Sequence, residues 1–352
     1  MKNKRILVII FFILSISIPL FVYNDDFLYK TEIMKITSIK TEDVTESQNT
    51  LGLREKYYDK SIEGVITNGK RKGEKVRVEY EETFSSVVTD KYQVGDKVFI
   101  TDDSIDGLKR DFYISLLICI FIFLIFLVGE YKGLLSVFSA ILNILIFYIG
   151  LKLYFTGINL IFLCIIESIF FAIFSLFIAG GINKKTVSAI ISVLVSLLFL
   201  LLLIIVVVLG TNYSGINFNE LEYLTVPVED IIIPELLIGG IGAIMDVAIT
   251  ICSALAELIE KNKRISTKNL KKSAKQIGKD IMSTMVNVLF FTYLAAGLPL
   301  FVLAIRNGYS VFHYITNNIS LEMTRFLVGS IGIVMTIPIS TFIAIKVFRR
   351  DK

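Results

Sequence analysis

The chain has 352 residues, 54% of them hydrophobic, a mean hydropathy of +0.71 and a net charge of +4. Soluble domains hold roughly 45–50% apolar residues and no long apolar runs, so this composition weighs against a soluble enzyme, and no basic module with interleaved aromatics points to nucleic acid. The one histidine, His313, and the three cysteines, Cys119, Cys164 and Cys252, form no disulfide or zinc pattern, so no cofactor or metal is expected.

In chain order, "KNKR" precedes the apolar run "ILVIIFFILSISIPLFV". A cleaved signal peptide and an uncleaved anchor both fit; the lack of a convincing cleavage site favours an anchor over 1–23. Residues 24–112 are polar and change period. "SIEGVITNG" and "GEKVRVEYEE" alternate apolar and polar residues, "NG" at 68–69 and "GKRKG" signal turns, and "YQVGDKVFITDD" adds a further turn and strand. This reads as a small β-rich domain, a sandwich or an OB-like barrel, with solvated carboxylates at Asp102, Asp103 and Asp106.

Seven more apolar segments follow, at 113–129, 134–151, 158–180, 187–209, 231–257, 281–304 and 326–347. A helix needs about 20 mostly apolar residues to cross a bilayer core. With the anchor, the pattern predicts an all-α polytopic bundle of about eight transmembrane helices over 1–23 and 113–352, carrying the β domain. Lys and Arg collect at the N-terminus, at Tyr131–Lys132, in "NKK", in a basic loop over 258–280 and in "RRDK". Retained positive charge marks the cytoplasmic side. Both termini are therefore expected inside and residues 24–112 outside.

The segment "GAIMDVAITICSALAEL", residues 242–258, resembles a signature of the YibE/F-like family of multi-pass bacterial membrane proteins. "IGKDIMSTMVNVLFFTYLAAGLPL", "EMTRFLVGSIGIVMTIPISTFIA" and the short "GGINKKT" are similar to further blocks of that family, in the same order, and "GKRKGEKVRVEYEE" with "YQVGDKV" fits its outer region. The resemblance covers nearly the whole chain. It implies a cytoplasmic-membrane permease and no particular substrate.

Those blocks also carry the candidate residues. Asp246, Thr250, Ser253 and Glu257 recur at +4, +3 and +4, one stripe of a helix, which Gly239 and Gly242 extend without side chains. A charged group at the bilayer centre costs about 2.5–3.5 kcal/mol on insertion scales, so Asp246 needs a partner, a proton or a water-filled cavity. The ordinary alternative is a neutral hydrogen-bonding contact between helices. Glu257 could equally pair with Lys261. Asp280, Thr284 and Asn287 form a second stripe, expected to face Thr250 and Ser253, although Asp280 could serve only the start of its helix. Glu322 and Arg325 fit a plain i,i+3 pair or a guard at an outer mouth, Gly329 and Gly332 fit close packing, and Glu167 is a further buried acid.

The leading expectation is secondary transport of an ion or small solute, with the lipid bilayer as surroundings, Asp246 as cation or proton site, and a path between the helices at 231–257, 281–304 and 326–347. "G-x-x-x-x-G-K-[ST]" is absent, so no nucleotide hydrolysis is built in. The alternative is a scaffold or assembly factor whose β domain meets an unidentified membrane or extracytoplasmic protein. An intramembrane aspartyl protease would need a second deep aspartate, and no enzyme activity is expected.

Overall fold

The structure, a computed structural model, describes residues 2–48, 54–86, 89–211, 228–317 and 320–349. The chain divides into two compact units, Met1–Leu134 and Leu135–Lys352.

The first unit begins with helix α1, Lys2–Tyr23, followed by strands β1 (Glu32–Gln48), β2 (Arg54–Ile66), β3 (Lys75–Thr83), β4 (Lys97–Thr101) and β5 (Ser104–Leu108). They form one antiparallel sheet in the order β3-β2-β1-β4-β5. Strands β1 to β4 thus follow the Greek-key order 4-1-2-3. The period-2 alternation supplies the core: Met34 and Ile36, Ile62 and Ile66, Val76 and Val78, and Val98 and Ile100 are buried. Gly64 interrupts its row because a Cβ there would lie 2.6 Å from the Lys35 carbonyl oxygen. The turn at 68–69 is made as expected, with Gly69 at φ 72°. Asn68 is buried there; its Oδ1 accepts from Ile33 N at 2.7 Å and its Nδ2 donates to the Thr31 carbonyl at 2.9 Å. Asp102 and Asp103, both at positive φ, form the two-residue turn from β4 to β5.

An ion cluster ties the end of α1 to this sheet. Lys109 Nζ, almost fully buried, lies 2.7 Å from Asp25, 3.1 Å from Asp111 and 3.3 Å from Asp26, and donates to the Val22 carbonyl at 2.8 Å. Lys97 Nζ reaches Asp26 at 2.7 Å, and the Tyr29 hydroxyl donates to Asp111 at 2.6 Å.

Helix α2, Asp111–Tyr154, contains both the 113–129 and the 134–151 segments. At 44 residues it would measure about 66 Å, twice what a bilayer core needs. It is broken at Glu130, whose φ of 51° and ψ of −132° are not helical. A Cβ on Gly133 would fall 2.5 Å from the Ile125 carbonyl oxygen, so the chain folds back on itself there and only glycine fits the crossing. Among the described residues seven helices are long and apolar enough to cross a membrane, and one of them, α2, holds two of the eight expected segments.

The second unit contains α3 (Leu160–Gly180), α4 (Lys184–Gly210), α5 (Val228–Lys261), α6 (Thr267–Arg306), α7 (Val311–Asn317) and α8 (Ser320–Arg349), besides the rest of α2. Helices α4, α5 and α8 pack on one another through Val193, Leu200, Ile244, Val247, Ile251 and Ile333, all fully buried. Gly332 admits both Leu200 and Ile244, whose methyls would lie 3.1 and 3.2 Å from an added Cβ, and a Cβ added at Gly329 would lie 3.1 Å from Leu289.

The basic loop expected over 258–280 is mostly helix. Helix α5 runs to Lys261 and α6 starts at Thr267, leaving a five-residue connection. Lysine is a good helix former, the Ser266 hydroxyl caps α6 by accepting from Asn269 N at 3.2 Å, and Leu270, Ala274 and Gly278 give the basic stretch a buried face. His313, expected in a loop, lies in the backbone of α7.

Candidate functional site

Around Asp246, α5 turns Ile244, Val247, Ala248, Ile251 and Cys252 into the core and leaves Asp246 on the other side. There it opens into a cavity of about 400 Å³. Ser253 joins it two turns along the same face, at +7. The opposite wall comes from Ser136 and Ser139 of α2, Ser175 of α3, and Asn183, Lys185 and Thr186 at the start of α4. Asn143 of α2 donates to the Ser175 hydroxyl at 2.8 Å.

The floor of this cavity is the tight α3–α4 turn, "GGINKKT". Gly181, at φ 70°, ends α3, its N–H bonding the Phe177 carbonyl at 2.8 Å. Asn183 caps α4: its Oδ1 accepts from Thr186 N at 2.9 Å, while its Nδ2 donates to the Gly180 carbonyl at 2.6 Å. Thr186 needs Gly180 opposite it, because a Cβ there would sit 2.6 Å from its Oγ1. Lys185 pairs with Glu260 at 3.5 Å.

Among the described residues no group is hydrogen-bonded to the Asp246 carboxylate. The result is one carboxylate facing several hydroxyls and an amide across a space large enough for water. Lys185, paired with Glu260, also lines the space, so the set holds one carboxylate and one ammonium; its oxygens suit a hard cation or a proton. Among the described residues no three His, Cys, Asp or Glu side chains come together as a metal cluster.

The other expected residues fall elsewhere. Thr250 does not line the cavity; its hydroxyl donates back to the Asp246 carbonyl at 2.7 Å. Glu257 is exposed and pairs with Lys261 at 2.7 Å. The polar stripe of α6 does not face α5. Asp280, Thr284 and Asn287 are exposed, Thr284 donates to the Ile281 carbonyl at 2.9 Å, and Asp280 accepts from Gln276 at 3.5 Å. The reason is angular. Residues two apart on a helix are about 200° apart, so Asp280 points away from buried Gly278, and Asn287 from buried Leu289. The cavity at Asp246 lies between α2, α3, α4 and α5, not between α5, α6 and α8.

Glu167 is buried against the backbone of α2 at Gly150, where any side chain would strike its carboxylate, and it does not line the Asp246 cavity. Glu322 and Arg325 form the expected pair, at 2.6 Å. Arg325 also binds Glu235 of α5, which the sequence reading missed because its partner lies 90 residues away. Gly239 faces Tyr293, whose hydroxyl donates to its carbonyl at 3.3 Å. Gly242 meets nothing within 4 Å, so it is not a packing position; its neighbour Gly240 is, against Leu200 and Gly329. The serines of α2 and α3 were also missed: nothing local in sequence links them to Asp246, and only "GGINKKT" pointed to this region.

A model described as YibE/F-like protein matches residues 117–350, and one described as YibE/F family N-terminal domain matches residues 27–114. Neither a curated protein nor a solved structure matches.

Proposed function

We propose that this chain, which belongs to the YibE/F-like family, is a multi-pass membrane permease that moves a cation or a proton-coupled small solute past Asp246. The observation that carries the reading is the Asp246 carboxylate, unbonded among the described residues and open to a hydroxyl-lined cavity of about 400 Å³. Structural carboxylates in apolar helices are normally paired, as Glu235 and Glu322 are with Arg325.

The membrane reading is supported by the outward faces of the helices. Leu117, Val128, Ile144, Leu198, Val206, Phe291 and Phe342 are each about half exposed or more, a surface water would not tolerate but lipid would. The basic clusters support a cytoplasmic side for both termini and the α3–α4 and α5–α6 connections, with the sheet outside. The Asp246 cavity, floored by the α3–α4 turn, then opens from the cytoplasmic half. The Greek-key order and five strands support an OB-like class for the outer domain.

Purified protein in proteoliposomes tests the proposal. Wild type should carry proton or monovalent-cation flux, and Asp246→Asn, a near-isosteric change, should abolish it without altering yield or melting temperature. Full flux in that variant removes Asp246 from the mechanism.

One observation favours the scaffold reading instead. Strand β4 and the turn before it cover β1 only to Ile36, and among the described residues no strand pairs with that edge over 37–47, which is where a partner's strand would add. A stoichiometric cross-linked partner at 40–48, together with no flux for any ion, would select it.

A further inference from the structure

A second cavity lies between α6 and α8, away from Asp246. It measures about 540 Å³ and has two kinds of wall. Met282 on α6 and Val334, Pro338 and Phe342 on α8 make it apolar along its length, and Phe342 is 63% exposed. Lys271, Lys275 and Lys279 form most of its α6 wall, with Pro338 and Phe342 on the α8 wall opposite them and Met282 and Val334 at the end beyond Lys279. The groove follows the antiparallel crossing of α6 and α8. At the crossing, Gly278 receives Ile337, whose Cγ2 would stand 2.5 Å from any Cβ there.

The three lysines recur every four residues, so they form one row beside the buried row of Leu270, Ala274 and Gly278. Among the described residues none of the three ammonium groups is within ion-pair distance of a carboxylate. Three uncompensated like charges along one helix face are mutually repulsive, and an anion among them relieves that repulsion. Lys279 precedes Met282 by three residues, a rise of about 4.5 Å. The α6 wall therefore changes from cationic to apolar at Met282, over the distance that separates a lipid phosphate from the top of its acyl chains.

We infer that this groove is a binding site for an anionic phospholipid, its phosphate held by Lys271, Lys275 and Lys279 and one acyl chain leaving past Met282 and Val334. The inference rests on the membrane reading above and not on transport through Asp246. On that reading the lysine row lies at the cytoplasmic surface, where anionic lipids attract basic residues. An acidic peptide would satisfy the lysines and leave the apolar length of the groove unfilled, so the lipid accounts for both walls.

The test uses the full chain in a neutral detergent, with bound lipid counted by native mass spectrometry. Phosphatidylglycerol should bind, while phosphatidylcholine and inorganic phosphate should not compete for it. Replacing Lys271, Lys275 and Lys279 together by Gln should weaken phosphatidylglycerol binding about tenfold or more. Replacing Lys268 and Lys272, which lie outside the groove, should not. Equal loss in both variants would mean diffuse charge attraction and overturn the site; so would equal binding of inorganic phosphate, or unchanged binding in the triple variant. Should the triple variant fold poorly, a photoactivatable phosphatidylglycerol on wild type decides the matter. Cross-links within 271–282 and 334–342 support the site, and cross-links confined elsewhere refute it. Ion flux through Asp246→Asn vesicles is read separately, so loss of one proposal leaves the other standing.

Discussion

Lys109 and Asp246 carry single charges in opposite settings. Lys109 is held by three aspartates and a carbonyl, and removing one member of a buried charged network typically costs about 3–5 kcal/mol. Lys109→Ala should therefore lower the denaturant stability of the β domain by that amount, measured by the fluorescence of its tyrosines. The cluster also sets a pH dependence. Burial alone would raise the Asp26 carboxyl, but hydrogen bonds from Lys97, Thr67 and Lys109 hold it below its ordinary 3.8. Its contribution is present above that value and lost as pH falls through the lower folded one. Burial alone would lower Lys109, but Asp25 and Asp111 hold it above its ordinary 10.5. The bond to Asp111, then burial, pushes Tyr29 up to about 12. Both contributions are present below the unfolded values and lost as pH rises through the folded ones. Acid and alkaline melts should thus bracket a flat region, and Lys97→Gln should move the acid limb to higher pH. Short-range partners were legible in sequence, as Glu322 with Arg325 and Asn68 with Gly69 show. Lys109 with Asp25 was not, because the two are 84 residues apart and no local pattern joins them.

Among the elements, apolar periodicity located every long helix, because burial and lipid both demand it. It misjudged where helices stop, since a helix leaving an apolar layer continues in Lys and Gln without penalty; α6 begins at Thr267 for that reason. It also missed which faces meet. The stripes of α5 and α6 were each present, but their rotation follows from the small residues that bring helices close, chiefly Gly240, Gly278 and Gly332. Gly278→Ala should separate α6 from α8, because Ile337 is β-branched and stiff on a helix. A loss of about 1–3 kcal/mol is expected, read as a lower melting temperature in detergent, and adding Ile337→Ala should restore part of it. Gly242→Ala meets open space. It should be neutral or stabilising by up to about 1 kcal/mol, the helix-propensity difference.

For the molecule as a whole, the positions of Lys and Arg carry the orientation, and this part of the proposal was readable without coordinates. With the three native cysteines replaced, Lys72→Cys should react with a membrane-impermeant maleimide on intact cells. Lys268→Cys should react only after lysis. The reverse pattern would invert the topology and, with it, the side from which the Asp246 cavity fills. The ion cluster at Lys109 adds a constraint in time. Asp25 leaves the ribosome 84 residues before Lys109, which at about 5–20 residues per second is a delay of roughly 4–17 s. Until Lys97 is made, 71 residues after Asp26, the two acids following α1 have neither ammonium group to bind. They stay hydrated, and the C-terminal end of α1 stays untethered until most of the sheet has been synthesised. The last strand's arrival is thus the event that fixes the first helix, and a nascent chain halted before Lys97 should leave Asp25 and Asp26 open to protease.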